Sequence, residues 1–375
     1  MRIAQVAPFA ESVPPKLYGG TERVVSWLTE ELVNRGHDVT LFATGDSSTR
    51  AKLVPVWPNA VRLARPRPDP AAVQAELLEA IIQNASAFDI MHYHCDWIHL
   101  PLASKLGVPF LTTLHGRLDV PGPPSMVRRF PAAPFVSISD NQRSPVPAAA
   151  WAGTVYHGLP LSSLRARYER GEYLAFLGRL TPEKGPEVAI RIARAANAPL
   201  RIAAKVPRGE ARYFRETLEP LIDGNQIRLI GEVNDRRKQD FLSAATVLVF
   251  PINWPEPFGL VMIEAMACGT PVIAFGQGSV SEVIEDGVSG FVVDPGDEEG
   301  AVRAIKQAGA LDRRRVRAAF ERRFTAGRMT DDYLRIYATL IVASQQPGAC
   351  ASTIGFVQSP GAIAATLQAR RAPET

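Results

Sequence analysis

The sequence predicts an α/β protein, two doubly wound domains facing each other across a cleft. Three observations predict it. Short apolar runs with strand character alternate with stretches of helical periodicity. These runs fall into two successive series rather than one. At 375 residues the chain suits two domains of ordinary size, each able to bury its own core. Alternation of this kind implies parallel sheets covered on both faces.

The first series opens with residues 2–8 (RIAQVAP), a buried strand, and a Pro-rich loop that ends at Gly19-Gly20. Residues 21–36 carry a helical repeat that stops at Gly36, and 37–44 (HDVTLFAT) form the next strand. Further strands are expected at 89–94, 109–115 and 134–139, with helical stretches such as 71–87 between them. The hinge at 155–160 leads into the second series, with strands at 173–178, 200–204, 227–230, 246–251, 271–275 and 290–293. These readings place an N-terminal domain at 1–157 and a C-terminal domain at 158–326. An amphipathic helix, 327–343, is expected to cross between them. Residues 344–375 lose periodicity, are rich in Ala, Gln, Pro and Ser, and read as a flexible tail.

Composition narrows the functional classes. Apolar residues make up 46% of the chain, as in a globular protein, yet no apolar stretch approaches the ~20 residues a membrane span needs. Met1 runs directly into a strand, which argues against a signal peptide. Cys95, Cys268 and Cys350 are widely spaced and odd in number. That speaks against a disulfide framework or a zinc site and for a reducing compartment, most simply the cytoplasm. A net charge of +4 fits an anionic ligand or a weak hold on an acidic membrane surface, and is too mild to argue for nucleic acid.

The most informative stretch is PEPFGLVMIEAMACGTPVIAFGQG, residues 255–278. Residues 259–267 should form a helix after the strand at 246–251, at the carboxyl edge of a sheet where ligands bind and helix amides are free. Glu256 precedes that helix, at the rim of the cleft beside the amides of Phe258, Gly259 and Leu260. Glu264 lies four residues past Leu260, on the same helix face and one turn deeper. A buried carboxylate needs donors, and a ribose diol supplies two hydroxyls at carboxylate spacing. The plainer reading makes Glu264 a structural carboxylate paired with a neighbouring arginine. That reading leaves Gly259, the flanking prolines and the following CGTPVIA unexplained.

This stretch resembles the E-x7-E signature of the retaining glycosyltransferases of family 4, and the resemblance extends from Met1 to about Val342. It implies the GT-B fold, two Rossmann-like domains, the first for an acceptor and the second for a nucleotide sugar. It also implies that Glu256 binds the donor sugar's hydroxyls and that Glu264 binds the ribose.

A departing diphosphate needs cations, and no Asp-x-Asp motif is present to recruit a metal. FLGRLTPEKGPEVAI, residues 176–190, instead places Arg179 and Lys184 on a loop between a strand and a helix that opens near Pro186. A guanidinium fork and a lysine there would form a diphosphate clamp. The competing reading is a solvated loop in which Thr181 caps the helix. A similar GR…EKG stretch in the family assigns Arg179 and Lys184 to the diphosphate.

On the opposite wall, Gly19 and Gly20 let backbone amides approach a phosphate or an acceptor, or simply form a turn. The family has a corresponding glycine pair, which supports both residues and leaves Glu22 a weaker candidate. His115 ends an apolar strand in TTLHGR, and the resemblance brings it near the reacting sugar. His92, His94 and Asp96 alternate in MHYHCDW and tempt a metal reading, but no further ligand is evident. The family's HxHDW is similar, with Cys95 inserted here before Asp96. VYHGLPL marks the hinge, of which Gly158 alone carries over, and Glu232 and Val233 are expected to frame the nucleobase through their backbone.

The expected activity is therefore transfer of a hexosyl group, with retention, from a nucleotide-diphosphate sugar, taken as a UDP-sugar. No metal or other cofactor is required. The acceptor is left open between a glycan, a lipid-linked molecule and a small molecule. Arg62, Arg65, Arg67, Arg128 and Arg129 would form a basic N-terminal surface for lipid headgroups or an acidic acceptor. Rival readings are a nucleotide-sugar epimerase or a phosphorylase on the same scaffold, and a non-catalytic nucleotide-sugar-binding protein.

Overall fold

In the first half of the chain, apolar runs too short for helices pair into a seven-stranded sheet. The strands are β1 (Arg2–Val6), β2 (Asp38–Thr44), β3 (Lys52–Trp57), β4 (Ile90–Tyr93), β5 (Phe110–Thr113), β6 (Phe135–Ser137) and β7 (Trp151–Thr154), in the order β3-β2-β1-β4-β5-β6-β7. Every pairing is parallel. The computed structural model describes residues 1–16, 19–62, 64–169 and 171–345. Two strands were not expected from the sequence, and both are edges. β3 contains Pro55, which removes a ladder donor and is tolerated only where one side of the strand is free. β7 is four half-buried residues, too short to show a period.

Helix α1 (Gly20–Asn34) covers this sheet with Val24, Leu28 and Leu32, whose four-residue spacing keeps them on one face. On α2 (Pro70–Asn84), Asp69 caps the first turn by accepting from the Ala71 amide at 2.9 Å, and Val73, Leu77 and Ile81 are buried.

The second half repeats the plan. β8 (Tyr173–Arg179), β9 (Leu200–Lys205), β10 (Ile227–Gly231), β11 (Ala245–Phe250), β12 (Val272–Phe275) and β13 (Gly290–Val293) form a parallel sheet in the order β10-β9-β8-β11-β12-β13. Helices of eight or more residues are α3 (Pro186–Ala195), α4 (Asp235–Ser243), α5 (Leu260–Ala267), α6 (Glu298–Ala308), α7 (Arg313–Arg323) and α8 (Ala326–Ser344). Pro186 stands in the first turn of α3, as the sequence suggests.

The chain crosses between the halves twice at one place. Leu159 and Phe324–Ala326 exchange backbone bonds, Leu159 N to Phe324 O at 2.9 Å and Ala326 N to Leu159 O at 2.7 Å. α8 then returns to the first sheet. Its Met329, Tyr333, Tyr337 and Leu340 share a core with Ile3, Val24, Leu28, Ile90 and Leu111. The helix expected to cross between domains thus begins beside the second and is buried in the first. Within 344–375, the expected flexible tail, everything from 346 onward lies outside the described residues.

Gly158 makes the double crossing possible, because a β-carbon there would lie 2.2 Å from the Thr325 carbonyl oxygen. Gly158→Ala should therefore cost about 1–3 kcal/mol, the usual scale of overpacking, read as a lower urea midpoint at unchanged m-value. A variant as stable as the parent would mean that the two strands of the crossing part without cost.

Candidate active site

In each sheet the strand order reverses once, between β1 and β4 and between β8 and β11. Loops leaving the carboxyl ends on either side of such a point diverge and leave a crevice. The two crevices face one another and form a cavity of about 690 Å³, within the range of small-molecule sites. The twelve residues that the sequence assigns to catalysis or donor binding line it. Gly19, Gly20 and His115 come from the first domain. Arg179, Lys184, Glu232, Val233, Glu256, Phe258, Gly259, Leu260 and Glu264 come from the second.

Glu256 is not at an open rim but nearly buried, at 9% exposure. Lys184 Nζ donates to its carboxylate, as does the Trp254 indole N–H at 2.7 Å. Lys184 also lies over the Trp254 ring, 4.7 Å from its centroid. Backbone geometry enforces this meeting. Gly185 adopts φ 66°, and a β-carbon there would be 2.2 Å from the Pro251 carbonyl oxygen, so the Lys184 turn packs directly on the loop after β11. Asn253 N bonds Glu183 O at 2.9 Å. On the far side, Ser279 donates its amide to Glu256 O and its hydroxyl to Phe258 O, both at 2.9 Å. The solvated-loop reading fails here. Thr181 is buried, its hydroxyl has no partner, and it caps no helix. Arg179, at the end of β8, reaches Glu183 at 3.4 Å, while its buried Nε has no partner.

Glu264 finds its counter-charge in Lys238 of α4, at 2.6 Å, not in an arginine. Lys238 also lies 3.3 Å from Asp235, and Asp235 takes a 2.6 Å bond from Arg23 in the first turn of α1. These charges form one row across the mouth of the cleft. Neighbouring lysine and arginine hold the Asp235 carboxyl below its ordinary range against the opposing effect of burial. Glu232 and Val233 precede α4 in the loop after β10, which also leads to this row.

The first domain supplies a tighter wall than the sequence suggests. Gly19 packs against Pro15, where a β-carbon would be 2.7 Å from the proline side chain, and Gly20 lies under Leu260 of the other domain. Arg62, expected on a basic outer surface, turns into the cleft and pairs with the buried Glu11. Burial raises the pKa of the adjacent Glu22, assisted by the Glu11 charge. Ser139 donates to Pro257 O at 2.7 Å, which ties the wall to the loop carrying Glu256.

His92 and His94 do share a surface, but as packed rings 4.0 Å apart, not as metal ligands. Asp96 leaves the sheet at φ 52°. Among the described residues no group of three or more His, Cys, Asp or Glu is arranged to hold a metal ion. The sequence reading missed Lys238, Trp254, Asp235 and His157. Trp254 had a visible cue, an aromatic two residues before Glu256. Lys238 sits in the charged run DRRKQD and carried none.

Comparison with known proteins agrees with this geometry. A family model described as "Glycosyl transferases group 1" matches residues 165–322, and "Glycosyltransferase Family 4" matches 18–152. The chain is 28% identical to a phosphatidyl-myo-inositol mannosyltransferase of Mycolicibacterium smegmatis over 85% of its own length and 87% of the relative's. It is also 28% identical to a D-inositol 3-phosphate glycosyltransferase of Mycolicibacterium vanbaalenii, over 77% and 78% of the two lengths. Among solved structures, AviGT4, a glycosyltransferase involved in avilamycin A biosynthesis, superposes with a TM-score of 0.71 at 24% identity. That match covers 91% of this chain and 98% of AviGT4. Anabaena HepE in complex with UDP gives 0.69 at 19% identity, covering 90% and 100%. These structures share the GT-B fold, two Rossmann-like domains.

The buried histidines set how the fold responds to acid. Burial depresses His92, His94 and His157 well below the ordinary range and brings His99 and His115 to about 3. The unfolded chain would bind these protons near pH 6.5, so between about 6.5 and 3 it holds more protons than the folded one. Their stabilisation is complete above pH 6.5 and is lost as pH falls through that window, at up to ~1.4 kcal/mol per ring per pH unit. The melting temperature should drop clearly from pH 7 to pH 5. A flat profile over that interval would show that the rings protonate freely in the folded state.

Proposed function

Because the chain belongs to glycosyltransferase family 4, we propose that it moves a hexosyl group from a nucleotide-diphosphate sugar to an acceptor hydroxyl with retention of configuration. A UDP-sugar is the proposed donor, and no metal is needed. One observation carries the reading: two carboxylates that follow β11 and two cations at the end of β8 line one cleft, with Arg179 still holding a buried, unpartnered Nε.

A diphosphate would give that nitrogen its acceptor and would draw Lys184 away from Glu256. This frees the Glu256 carboxylate for sugar hydroxyls, still held in place by the Trp254 indole. Glu264 would accept from the ribose diol while Lys238 keeps its charge balanced. The fixed cations stabilise negative charge developing on the leaving diphosphate without a metal. With retention, the acceptor attacks the face from which the diphosphate departs, and a diphosphate oxygen takes the acceptor's proton. Closure across the Arg23–Asp235 pair would exclude water that otherwise hydrolyses the donor.

HepE has been seen with UDP and with UDP-glucose, which supports the choice of base. The names of the relatives bring inositol-based acceptors forward for testing among glycans, lipid-linked and small molecules. Arg128 and Arg129 close the last turn of a short helix, Pro123–Arg129, and remain available to an acidic membrane surface. Among the described residues no helix is long and apolar enough to cross a membrane. Cys95 and Cys268 are free thiols, in keeping with a reducing, cytoplasmic setting.

Thermal-shift screening of nucleotide sugars identifies the donor, since a ligand of the folded state raises the melting point. Labelled donor with candidate acceptors should then yield a product of the donor's anomeric configuration, in the presence of a chelator. An inverted product, or full dependence on added metal, would overturn the reading. Arg179→Ala or Lys184→Ala should lower turnover by ~10²-fold or more, the scale for removing one transition-state donor. A double variant with parental turnover would remove the clamp from the mechanism.

A further inference from the structure

His115 ends in a hydrogen-bonded array that runs away from the cleft and through the core of the first domain. Its Nε2 lies 2.9 Å from His94 Nδ1, and His94 Nε2 lies 2.9 Å from Gln5 Oε1. Gln5 Nε2 donates to the Tyr337 hydroxyl at 3.0 Å, and Tyr337 meets His92 Nδ1 at 2.6 Å. His92 Nε2 meets Thr113 Oγ1 at 2.7 Å, and Thr113 meets Tyr333 at 3.0 Å. Gln5, His92 and both tyrosines are fully buried, and His94 is 2% exposed. Of the array's ring nitrogens, only His115 Nδ1 has no partner, and it too is buried.

The donors and acceptors in such a row must alternate, so one member fixes the rest. An amide oxygen only accepts, which makes His94 Nε2 the protonated nitrogen and His94 Nδ1 the acceptor. His115 Nε2 must then carry the proton, and His115 Nδ1 is left as a bare lone pair. At the other end, Tyr337 accepts from Gln5 and therefore donates to His92 Nδ1, which is self-consistent. Reversing every bond would leave His115 with a buried N–H and no acceptor, the more costly arrangement. The His115 backbone is clamped as well. Gln142 Nε2 donates to Leu114 O at 2.9 Å and to Gly116 O at 2.7 Å. The imidazole stacks on His157, 5.3 Å between centroids, and His157 meets Phe258 edge-on at 4.8 Å.

We propose that Gln5 and His94, backed by Tyr337 of α8, are positioning residues that hold His115 as the Nε2–H tautomer, so that its Nδ1 accepts a hydrogen bond from a substrate hydroxyl. The identity of that hydroxyl rests on the proposed transfer reaction; the tautomer does not. The array also gives α8 a part in the site, since the tyrosine that polarises Gln5 comes from the returning helix. A neutral acceptor is the form needed to orient a hydroxyl, and burial keeps His115 uncharged at neutral pH.

The chain has six histidines, so long-range 1H–15N spectra of the full-length protein labelled at histidine can be assigned by single His→Gln replacements. In the parent protein both His94 and His115 should show a protonated Nε2 and a bare Nδ1. Gln5→Leu should leave His115 as a mixture of tautomers and lower kcat about tenfold, with the donor KM changed less than twofold. Gln5→Glu keeps the acceptor and should restore the single tautomer and most of kcat. A parental His115 protonated at Nδ1 would overturn the proposal, as would Gln5→Leu with an unmixed tautomer or with unchanged kcat. If Gln5→Leu does not fold, the parental spectrum still decides. Absence of transfer to any acceptor, with His115 found as Nε2–H, would sink the proposed reaction and leave the array standing.

Discussion

Two carboxylates placed where a sheet opens into a cleft cannot stay charged and buried without partners, and the second domain is organised around supplying them. Glu256 meets Lys184, and Glu264 meets Lys238. Each pair joins segments that follow different strands, so each also ties two strands' carboxyl ends together. Leaving one member alone would strand a buried charge, which costs far more than the pair contributes. The cleft is thereby pre-assembled, because its cations and anions already neutralise one another.

Topology decides where this happens. Both sheets reverse their strand order once, and both reversals face the same space. Glu256 follows β11 and Arg179 ends β8, the two strands that flank the reversal in the second sheet. The double crossing at Gly158 and Thr325 then returns α8 to the first domain. Its two buried tyrosines join the hydrogen-bonded core that ends at His115. The first domain therefore meets the site through a neutral, buried polar array, while the second meets it through charge pairs. An orienting wall facing an electrostatic one is what the proposed transfer would draw on.

Much of this was legible in advance. Strands β1, β2, β4–β6 and β8–β13 stood out because each is a short apolar run bounded by turns. Two doubly wound domains followed from their alternation with helices, and the resemblance to family 4 implied the GT-B arrangement. β3 and β7 did not stand out, since an edge strand can carry a proline or remain half-exposed. Residues 255–267 announced a site because apolar helices seldom hold a glutamate. Arg62 misled, for a run of arginines with prolines looks like a surface until Glu11 is seen beside it.

The order of elements, the two glutamates, the two cations at the end of β8 and the glycines that admit close backbone approach were determined by the sequence alone, because each depends on neighbours only a few residues away. Which charge meets which was decided by the tertiary structure. Lys238 reaches Glu264 across 26 positions and Lys184 reaches Glu256 across 72. Tyr337 reaches Gln5 across 332. Partners that far apart leave no local pattern, since a lysine on a solvated helix and a lysine beneath a carboxylate read alike until the chain folds back and excludes water from one of them.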